Sequence, residues 1–357
     1  MSRMHTIMND LKIYLKYSRS SMENFLNYSS SLKSYDEFNE KIKIKMKLLE
    51  ELEKKINKIT PWKLSLSKIG EFGIIQKYFY EIYSDENYYD AIMFSFGYNG
   101  YIDNLNGLIQ NIKDKKINYA KFLGKTKDKK NKKNKKNKIK KGYYPALIDK
   151  NPVVNDYNFK NNIIVTGPNA SGKTTVLKSS LINIFMTQQM GCGFYKSAKM
   201  NPYKYIHCYL NIPDTSGRDS LFQAEARRCK EIIDIIDNNK NDNHYCAFDE
   251  LYSGTNPDEA VMSAVAFMEY LIKNKNVKCI LTTHFLELCN YLDKNENIQN
   301  YHMKTKYSDA KCKEFTYLYK MEKGISNVRG GIKVLSDMNY PKEILDKTKI
   351  YEENNKK

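Results

Sequence analysis

Between Asn161 and Lys178 the chain reads Asn-Asn-Ile-Ile-Val-Thr-Gly-Pro-Asn-Ala-Ser-Gly-Lys-Thr-Thr-Val-Leu-Lys, a β-branched run, then a glycine-bounded loop, then a lysine followed by hydroxyls. Gly167 and Gly172 let the backbone turn so that successive N–H groups point inward. Lys173 supplies charge to outer phosphates, the Thr174 hydroxyl can sit on a magnesium ion, and a helix opening near Lys173 aims its positive end at the anion. The stretch predicts a phosphate cradle made of Gly167, Pro168, Asn169, Ala170, Ser171, Gly172, Lys173, Thr174 and Thr175. A strand at 163–165 separates this reading from an ordinary glycine-rich turn.

Two further constellations fit the same chemistry. The run His244-Tyr245-Cys246-Ala247-Phe248-Asp249-Glu250 is an apolar strand ending in two carboxylates, 76 residues after Lys173. Asp249 is placed to hold magnesium with Thr174, directly or through water, and Glu250 to orient or deprotonate a water attacking a terminal phosphorus. A third apolar run ends at Thr282-Thr283-His284, where the imidazole reaches toward the terminal phosphate as a donor that senses its loss.

These residues need a sheet to gather them. From Gly142 onward short apolar runs at 163–165, 206–210, 245–248, 278–282 and 315–319 alternate with helical patterns at 176–190, 224–236 and 260–272. That alternation predicts a mainly parallel sheet with helices on both faces and phosphate chemistry at the carboxyl ends of its strands. Residues 1–118 read instead as helices. Phe38, Ile42, Met46, Leu49, Leu52 and Ile56 make one stripe, Pro61 marks a break, and aromatic-rich helical stretches follow at 69–83 and 88–112. Gly97, Gly100 and Gly107 permit either close helix contacts or turns. A short apolar segment at 117–123 then gives way to a Lys/Asn tract, read as a mobile loop, so the boundaries fall at 1–118, 119–142, 143–350 and a tail at 351–357.

The 357 residues, 41% of them hydrophobic, suffice for two domains with real cores. No apolar run approaches membrane-spanning length and residues 1–10 are too polar for a secretory signal, which points to an intracellular protein with no membrane partner. Seven scattered cysteines without a Cys-x-x-Cys pair read as reduced thiols. The formal charge is +18, of which eleven lysines and one aspartate at 125–141 supply +10. The tract reads either as a basic arm on a nucleic-acid backbone or as a solvated low-complexity insert.

Taken together, these motifs resemble the ATPase domain of the MutS-like proteins, within the ABC-type ATPases. Thr166-Gly-Pro-Asn-Ala-Ser-Gly-Lys-Thr-Thr175 is similar to the family's Thr-Gly-Pro-Asn-x-Gly-Gly-Lys-Ser-Thr, Asp249-Glu250-Leu-Tyr-Ser-Gly-Thr255 to its Asp-Glu-x-Gly-x-Gly-Thr, and Thr-Thr-His284 to its Ala-Thr-His. Tyr144-Pro145-Ala-Leu147, Val154-Asn155-Asp156, Leu318-Tyr-Lys-Met-Glu-Lys-Gly324 and Gly331-Ile-Lys-Val extend the likeness over about residues 119 to 350. Ala170-Ser171, Thr174 and Tyr252-Ser253 depart from the family pattern while keeping the group types.

The resemblance implies an α/β, P-loop ABC-type ATPase domain with a mainly parallel sheet, preceded by a shortened, all-helical lever. It implies ATP and magnesium as cofactors, and a homodimer or a heterodimer with another MutS-like subunit, in which each site is closed by the partner's signature segment. Ser216-Gly-Arg-Asp-Ser220-Leu-Phe222-Gln-Ala-Glu225 is similar to that segment, with Ser220 reaching the other subunit's γ-phosphate and Arg218, Arg227 and Arg228 pairing across the interface or lying as surface charge. By the same carry-over Asn169 contacts nucleotide phosphate, Gln189 lies near the magnesium water shell, and Tyr319 stands against adenine. The expected partner is DNA, mismatched or branched. Phe79-Tyr80-Glu81 resembles a mismatch-reading wedge, but too few residues separate it from Lys173 for the family's intervening domains, and it reads as an aromatic helix segment. The alternative to an ATPase is a nucleotide-gated DNA-binding scaffold with little turnover.

Overall fold

The computed structural model describes residues 2–63, 65–124, 136–210, 220–307, 315–326, 328 and 330–354. The chain divides into two compact units, Met1–Asn111 and Ile112–Lys357.

The first unit is helical: α1 (Ser2–Ser29), α2 (Asp36–Ile56), α3 (Leu66–Ser84) and most of α4 (Glu86–Lys113). Met8, Leu15 and Met22 of α1 recur every seven residues and are fully buried with Ile42, Leu49, Leu52 and Ile56 of α2, so the stripe read from the sequence is a helix-packing seam. Pro61 lies in the connection between α2 and α3. Phe79 packs against this core, Glu81 pairs with Lys55, and Tyr80 is exposed, so the triplet 79–81 belongs to an ordinary helix. Gly97, Gly100 and Gly107 make neither turns nor close contacts. They lie inside α4, with no atom within 4 Å of where a Cβ would stand.

The second unit is a mixed α/β assembly of two sheets. In chain order its elements are β1 (Asn118–Phe122), β2 (Lys138–Gly142), β3 (Asn155–Asn158), β4 (Asn162–Thr166), α5 (Lys173–Met190), β5 (Cys192–Gly193), β6 (Ser197–Met200), β7 (Tyr205–Tyr209), α6 (Leu221–Asn238), β8 (His244–Asp249), α7 (Pro257–Lys273), β9 (Val277–Thr283), α8 (Leu286–Leu292), β10 (Ile298–Tyr307), β11 (Phe315–Lys323), α9 (Gly331–Asp337) and α10 (Lys342–Asn354). The larger sheet has the order β11-β10-β4-β9-β8-β7. All its pairings are parallel except β10 with β11.

Strand alternation sorts side chains onto its two faces. Ile163, Val165, Tyr245, Ala247 and Ile280 join one buried cluster with Val176, Leu177 and Ile184 of α5. Ile164, Cys246, Phe248, Cys279 and Leu281 join the other with residues of α6, α7 and α8. Both faces are covered, which is why β4 and β8 read as continuous apolar runs.

Two expectations need correction. The larger sheet is mainly parallel as expected and is mixed only in that β11 turns back on β10. A second, five-stranded sheet, β3-β2-β6-β1-β5, lies outside the expected plan and has only β1 and β6 parallel. Its inner face, through Ile139, Tyr157, Ala198 and Met200, joins the α5 cluster. The tract read as a mobile loop at 125–141 also ends in structure. Lys138–Gly142 is β2, held because Ile139 is fully buried, while residues 125–135 lie outside the described residues. Among the described residues no helix is long and apolar enough to cross a membrane.

Candidate functional site

In the larger sheet β4 neighbours β9 and β9 neighbours β8, with Thr166 opposite Thr283 and Asp249 opposite Thr282. The segments that leave the carboxyl ends of these three strands are therefore adjacent. They are the loop 167–172, the Asp249-Glu250 pair and His284.

The loop is shaped by close approaches. A Cβ on Gly167 would stand 2.8 Å from Ser171 Oγ and 3.0 Å from Met303 Cβ. Gly172, at φ +95°, has the left-handed backbone that favours glycine, and a Cβ there would meet the Tyr319 ring at 3.1 Å. Ser171 Oγ is buried without a hydrogen-bond partner among the described residues. An unsatisfied buried hydroxyl is costly, and a ligand oxygen would satisfy it.

Lys173 opens α5 and is 5% exposed. Its Nζ donates to Gly167 O at 3.0 Å, Pro168 O at 3.3 Å and Asn169 Oδ1 at 3.4 Å, and lies 3.6 Å from Glu250 Oε1. Burial pulls its pKa below the usual lysine value against the opposing pull of the Glu250 and Asp249 carboxylates. Thr174 Oγ1 donates to Asp249 Oδ2 at 3.0 Å, and Thr282 donates to Asp249 Oδ1 from the neighbouring strand. Glu250 has φ +52°, and its N–H donates to Thr282 O at 2.9 Å, so a strained residue leaves β8 at the carboxylate itself. Its Oε1 lies 3.5 Å from His284 Nδ1. Hydrogen bonding from His284 lowers the Glu250 pKa, burial opposes that, and the Lys173 charge reinforces it.

The structure thus brings Lys173, Thr174, Asp249, Glu250 and His284 to one place. Thr175 follows in the first turn of α5. Pro168 and Asn169 line a cleft of about 580 Å³ with His284, Ser326 and Gly330. A Cβ on Gly330 would stand 2.2 Å from Pro168 Cβ, and Ser326 N donates to Thr166 Oγ1 at 2.9 Å, so the segment before α9 is fitted closely to the loop. Ala170 carries φ +64° on the exposed outer side. Tyr319, also left-handed at φ +55°, lays its half-exposed ring over Gly172, while Tyr317 donates its hydroxyl to Asn169 O at 3.1 Å. Asn155 secures that strand, donating to Tyr319 O at 3.0 Å and accepting from Met321 N at 2.8 Å.

Other expected site residues are placed elsewhere. Gln189 is exposed in the last turn of α5, about 24 Å along the helix from Lys173, because sixteen residues separate them at about 1.5 Å each. It does not join this site. Ser220 caps α6, donating its N–H to Gln223 Oε1 at 2.9 Å and accepting from Gln223 N at 3.3 Å, and among the described residues it makes no hydrogen bond to the loop 167–172 of its own chain. Arg228 pairs with Glu231 at 3.0 Å and donates to Cys208 O at 3.2 Å; Arg227 is also engaged, and Arg218 lies outside the described residues.

In the sequence Glu225 stands only as the last residue of the signature-like segment 216–225, with no role of its own. Only 3% exposed, it accepts from Ser253 N at 3.2 Å, Ser253 Oγ at 3.0 Å and Gly254 N at 3.1 Å. It therefore ties α6 to the loop that follows Glu250. Against the same loop, Leu221 Cγ would meet a Gly254 Cβ at 2.6 Å. On an amphipathic helix a glutamate reads as surface, and only its place one turn past the Ser220 cap could have singled it out.

The arrangement suits a phosphate-bearing ligand with a hard cation. A loop closing on buried lysine, a hydroxyl beside a carboxylate, and a second carboxylate between lysine and imidazole define a class of mixed α/β proteins with a polar site at the carboxyl ends of the sheet. The family described as MutS domain V matches residues 163–354, more than half of the chain, and the chain belongs to that family. It is 30% identical over 218 residues to MutS protein homolog 4 of Homo sapiens, covering 58% of this chain and 23% of that protein. It is 31% identical over 219 residues to DNA mismatch repair protein MutS of Prochlorococcus marinus, covering 59% and 23%. Endonuclease MutS2 of Acetivibrio thermocellus shares 32% identity over 182 residues, covering 50% and 21%. The match spans less than a quarter of the length of these relatives.

Proposed function

We propose that the chain is a magnesium-dependent ATPase of MutS type, built on a P-loop ABC-type fold. Its ATP cycle is coupled to DNA binding in mismatch repair, recombination or genome maintenance. The observation that carries the reading is the convergence of Lys173, Thr174, Asp249, Glu250 and His284 at the mouth of the loop 167–172. The unpartnered Ser171 hydroxyl and the glycine positions that a Cβ would fill fit a phosphate chain, and the Thr174–Asp249 oxygen pair fits magnesium, which takes few protein ligands and keeps water and phosphate oxygens. When bound, the ion supplies charge that screens the phosphates.

The chain's own groups do the rest. Lys173 holds the outer phosphates, Asn169 and the loop N–H groups orient them, and Tyr319 offers a ring to the base. Glu250, ionised and steered by His284, accepts a proton from the attacking water. Ser220 at the amino end of α6 completes the site of a second subunit, either another copy or a related MutS-like chain, and the helical unit acts as a lever toward DNA.

The test is ATP hydrolysis and ATP binding by the full chain and by Glu250→Gln, with and without duplex, mismatched and branched DNA. Turnover should fall at least a hundredfold in the variant while nucleotide is retained. Unchanged output from a variant without turnover would favour a nucleotide-gated scaffold, and failure of the native chain to bind ATP would remove the reading.

A further inference from the structure

The outer face of the five-stranded sheet carries a row of like charges. Lys121 of β1 is opposite Lys199 of β6, and Lys199 is opposite Lys138 of β2. Lys138 in turn faces Asn158 of β3. One step along, Ser197 of β6 is opposite Lys140. Two residues before Lys121 on the same face, Tyr119 is 69% exposed. Lys121, Lys140 and Lys199 are exposed and Lys138 is half-buried.

Like charges directly opposite one another on adjacent strands repel. Elsewhere the chain relieves its lysines with nearby carboxylates, as in Lys41 with Glu37, Lys43 with Glu40 and Lys54 with Glu50. On this face no such pairing is present among the described residues. Asp156 of neighbouring β3 shares this outer face, accepts from the Lys141 backbone N–H at 2.7 Å and forms no ion pair with the row, so it offsets one of the four lysine charges and leaves the face strongly positive. The inner-facing alternates, Ala120, Ala198 and Ile139, bury the other side, so the lysines are fixed outward by register.

We propose that this face binds the sugar–phosphate backbone of a nucleic acid. Three strands at about 4.8 Å spacing set the Lys121, Lys199 and Lys138 backbones in a row about 10 Å across. Each strand of a duplex carries one phosphate per about 3.4 Å of helix axis, so a row lying along the axis passes about three of them. Tyr119 beside the row gives an unpaired base a ring to stack on. A lipid surface is the poorer fit, because Tyr119, Ser197, Lys140 and Asn158 provide no aliphatic side chain to enter a headgroup layer. The surface lies apart from the Lys173 site and needs nothing of its chemistry. It locates a contact for the DNA-binding half of the reading above.

The test is fluorescence anisotropy of the full chain with a 30-nucleotide single strand and a 30-base-pair duplex at several salt concentrations. It compares the native protein with Lys121→Gln/Lys138→Gln/Lys199→Gln, leaving residues 125–135 intact. A control replaces Lys204, Lys230 and Lys240, carboxylate-paired lysines of the same unit. The triple variant should flatten the slope of log affinity against log salt by about 2.7 on the duplex and about 2 on the single strand, from three phosphate contacts. The control should not move it. Tyr119→Ala should weaken the single strand about tenfold and spare the duplex. With repulsion removed, the triple variant should melt no lower than the native chain, and its ATP turnover without DNA should be unchanged. Native binding with an unaltered slope in the triple variant overturns the surface alone, as does loss of the slope only when the lysines at 125–135 are replaced. Absence of any native binding sinks the DNA half of the reading as well. Equal binding of the native chain to anionic vesicles or polyglutamate also overturns the proposal.

Discussion

Removing the Glu225 carboxylate should unfasten the loop behind Asp249 and Glu250 while leaving the loop 167–172 intact. In Glu225→Ala, which removes the side chain of a residue only 3% exposed, the Ser253 and Gly254 N–H groups lose their acceptor. Two donors at about 1–3 kcal/mol each give a ceiling of about 6 kcal/mol, and because Ser253 is exposed and Gly254 half-buried, water reaching them lowers the expected loss to about 2 kcal/mol. Glu225→Gln keeps an oxygen for Ser253 but turns an amide donor toward Gly254 N, so about 1–2 kcal/mol is expected. Ser253→Ala removes only the hydroxyl bond, about 1 kcal/mol, and nothing further once Glu225 is gone, which sets a coupling of similar size in the double variant. The only tryptophan, Trp62, lies in the helical unit, so its fluorescence is the wrong probe. Amide hydrogen exchange of residues 251–255 is the right one. A local loss of about 2 kcal/mol speeds exchange roughly thirtyfold. Turnover should drop with ATP affinity within about twofold of native, because Lys173 and Thr174 are untouched. Exchange at 251–255 in Glu225→Ala as slow as in the native chain would refute the argument.

Three other perturbations follow from the same geometry. Glu250 has its pKa lowered in the folded chain, first by the His284 hydrogen bond, so ionisation stabilises the fold above the ordinary value of 4.5, and that share is lost as pH falls through the depressed folded value. The melting-temperature difference between the native chain and Glu250→Gln should therefore stay level from pH 7 to about 5 and shift against the native chain on further acidification; a level difference down to pH 3 would contradict it. Thr282→Val removes a donor to Asp249 with little change of volume and should cost about 1–2 kcal/mol while raising the magnesium concentration needed for half-maximal turnover. Gly330→Ala drives a methyl to within 2.2 Å of Pro168 Cβ, so about 1–3 kcal/mol of stability and several-fold in ATP affinity should be lost, measured by denaturant unfolding and nucleotide titration.

The polar site was legible where chemistry and local conformation coincide. Gly167, Gly172 and Lys173 must be close in sequence to act together, and the apolar runs before Thr166, Asp249 and His284 announce strands because both faces of β4, β8 and β9 are buried. The five-stranded sheet was illegible for the opposite reason. Its strands have two to five residues, and β2, Lys-Ile-Lys-Lys-Gly, is held by one buried isoleucine within a composition that resembles a solvated insert. The role of Glu225 was illegible because it depends on Ser253 and Gly254, 28 and 29 residues away. The placement of Gln189 came from a family pattern, and the straight run of α5 carries that residue off the site.

The neighbours of β4 in the sheet, β9 and β10, are synthesised more than a hundred residues after it, and the tyrosines that brace the loop come later still. On a ribosome extending at about 5–20 residues per second, the emerging loop would spend several seconds without its lateral partners. A nascent chain stalled before β9 should therefore have no hold on nucleotide, and ATP in the medium could select only polypeptides whose synthesis has passed β11.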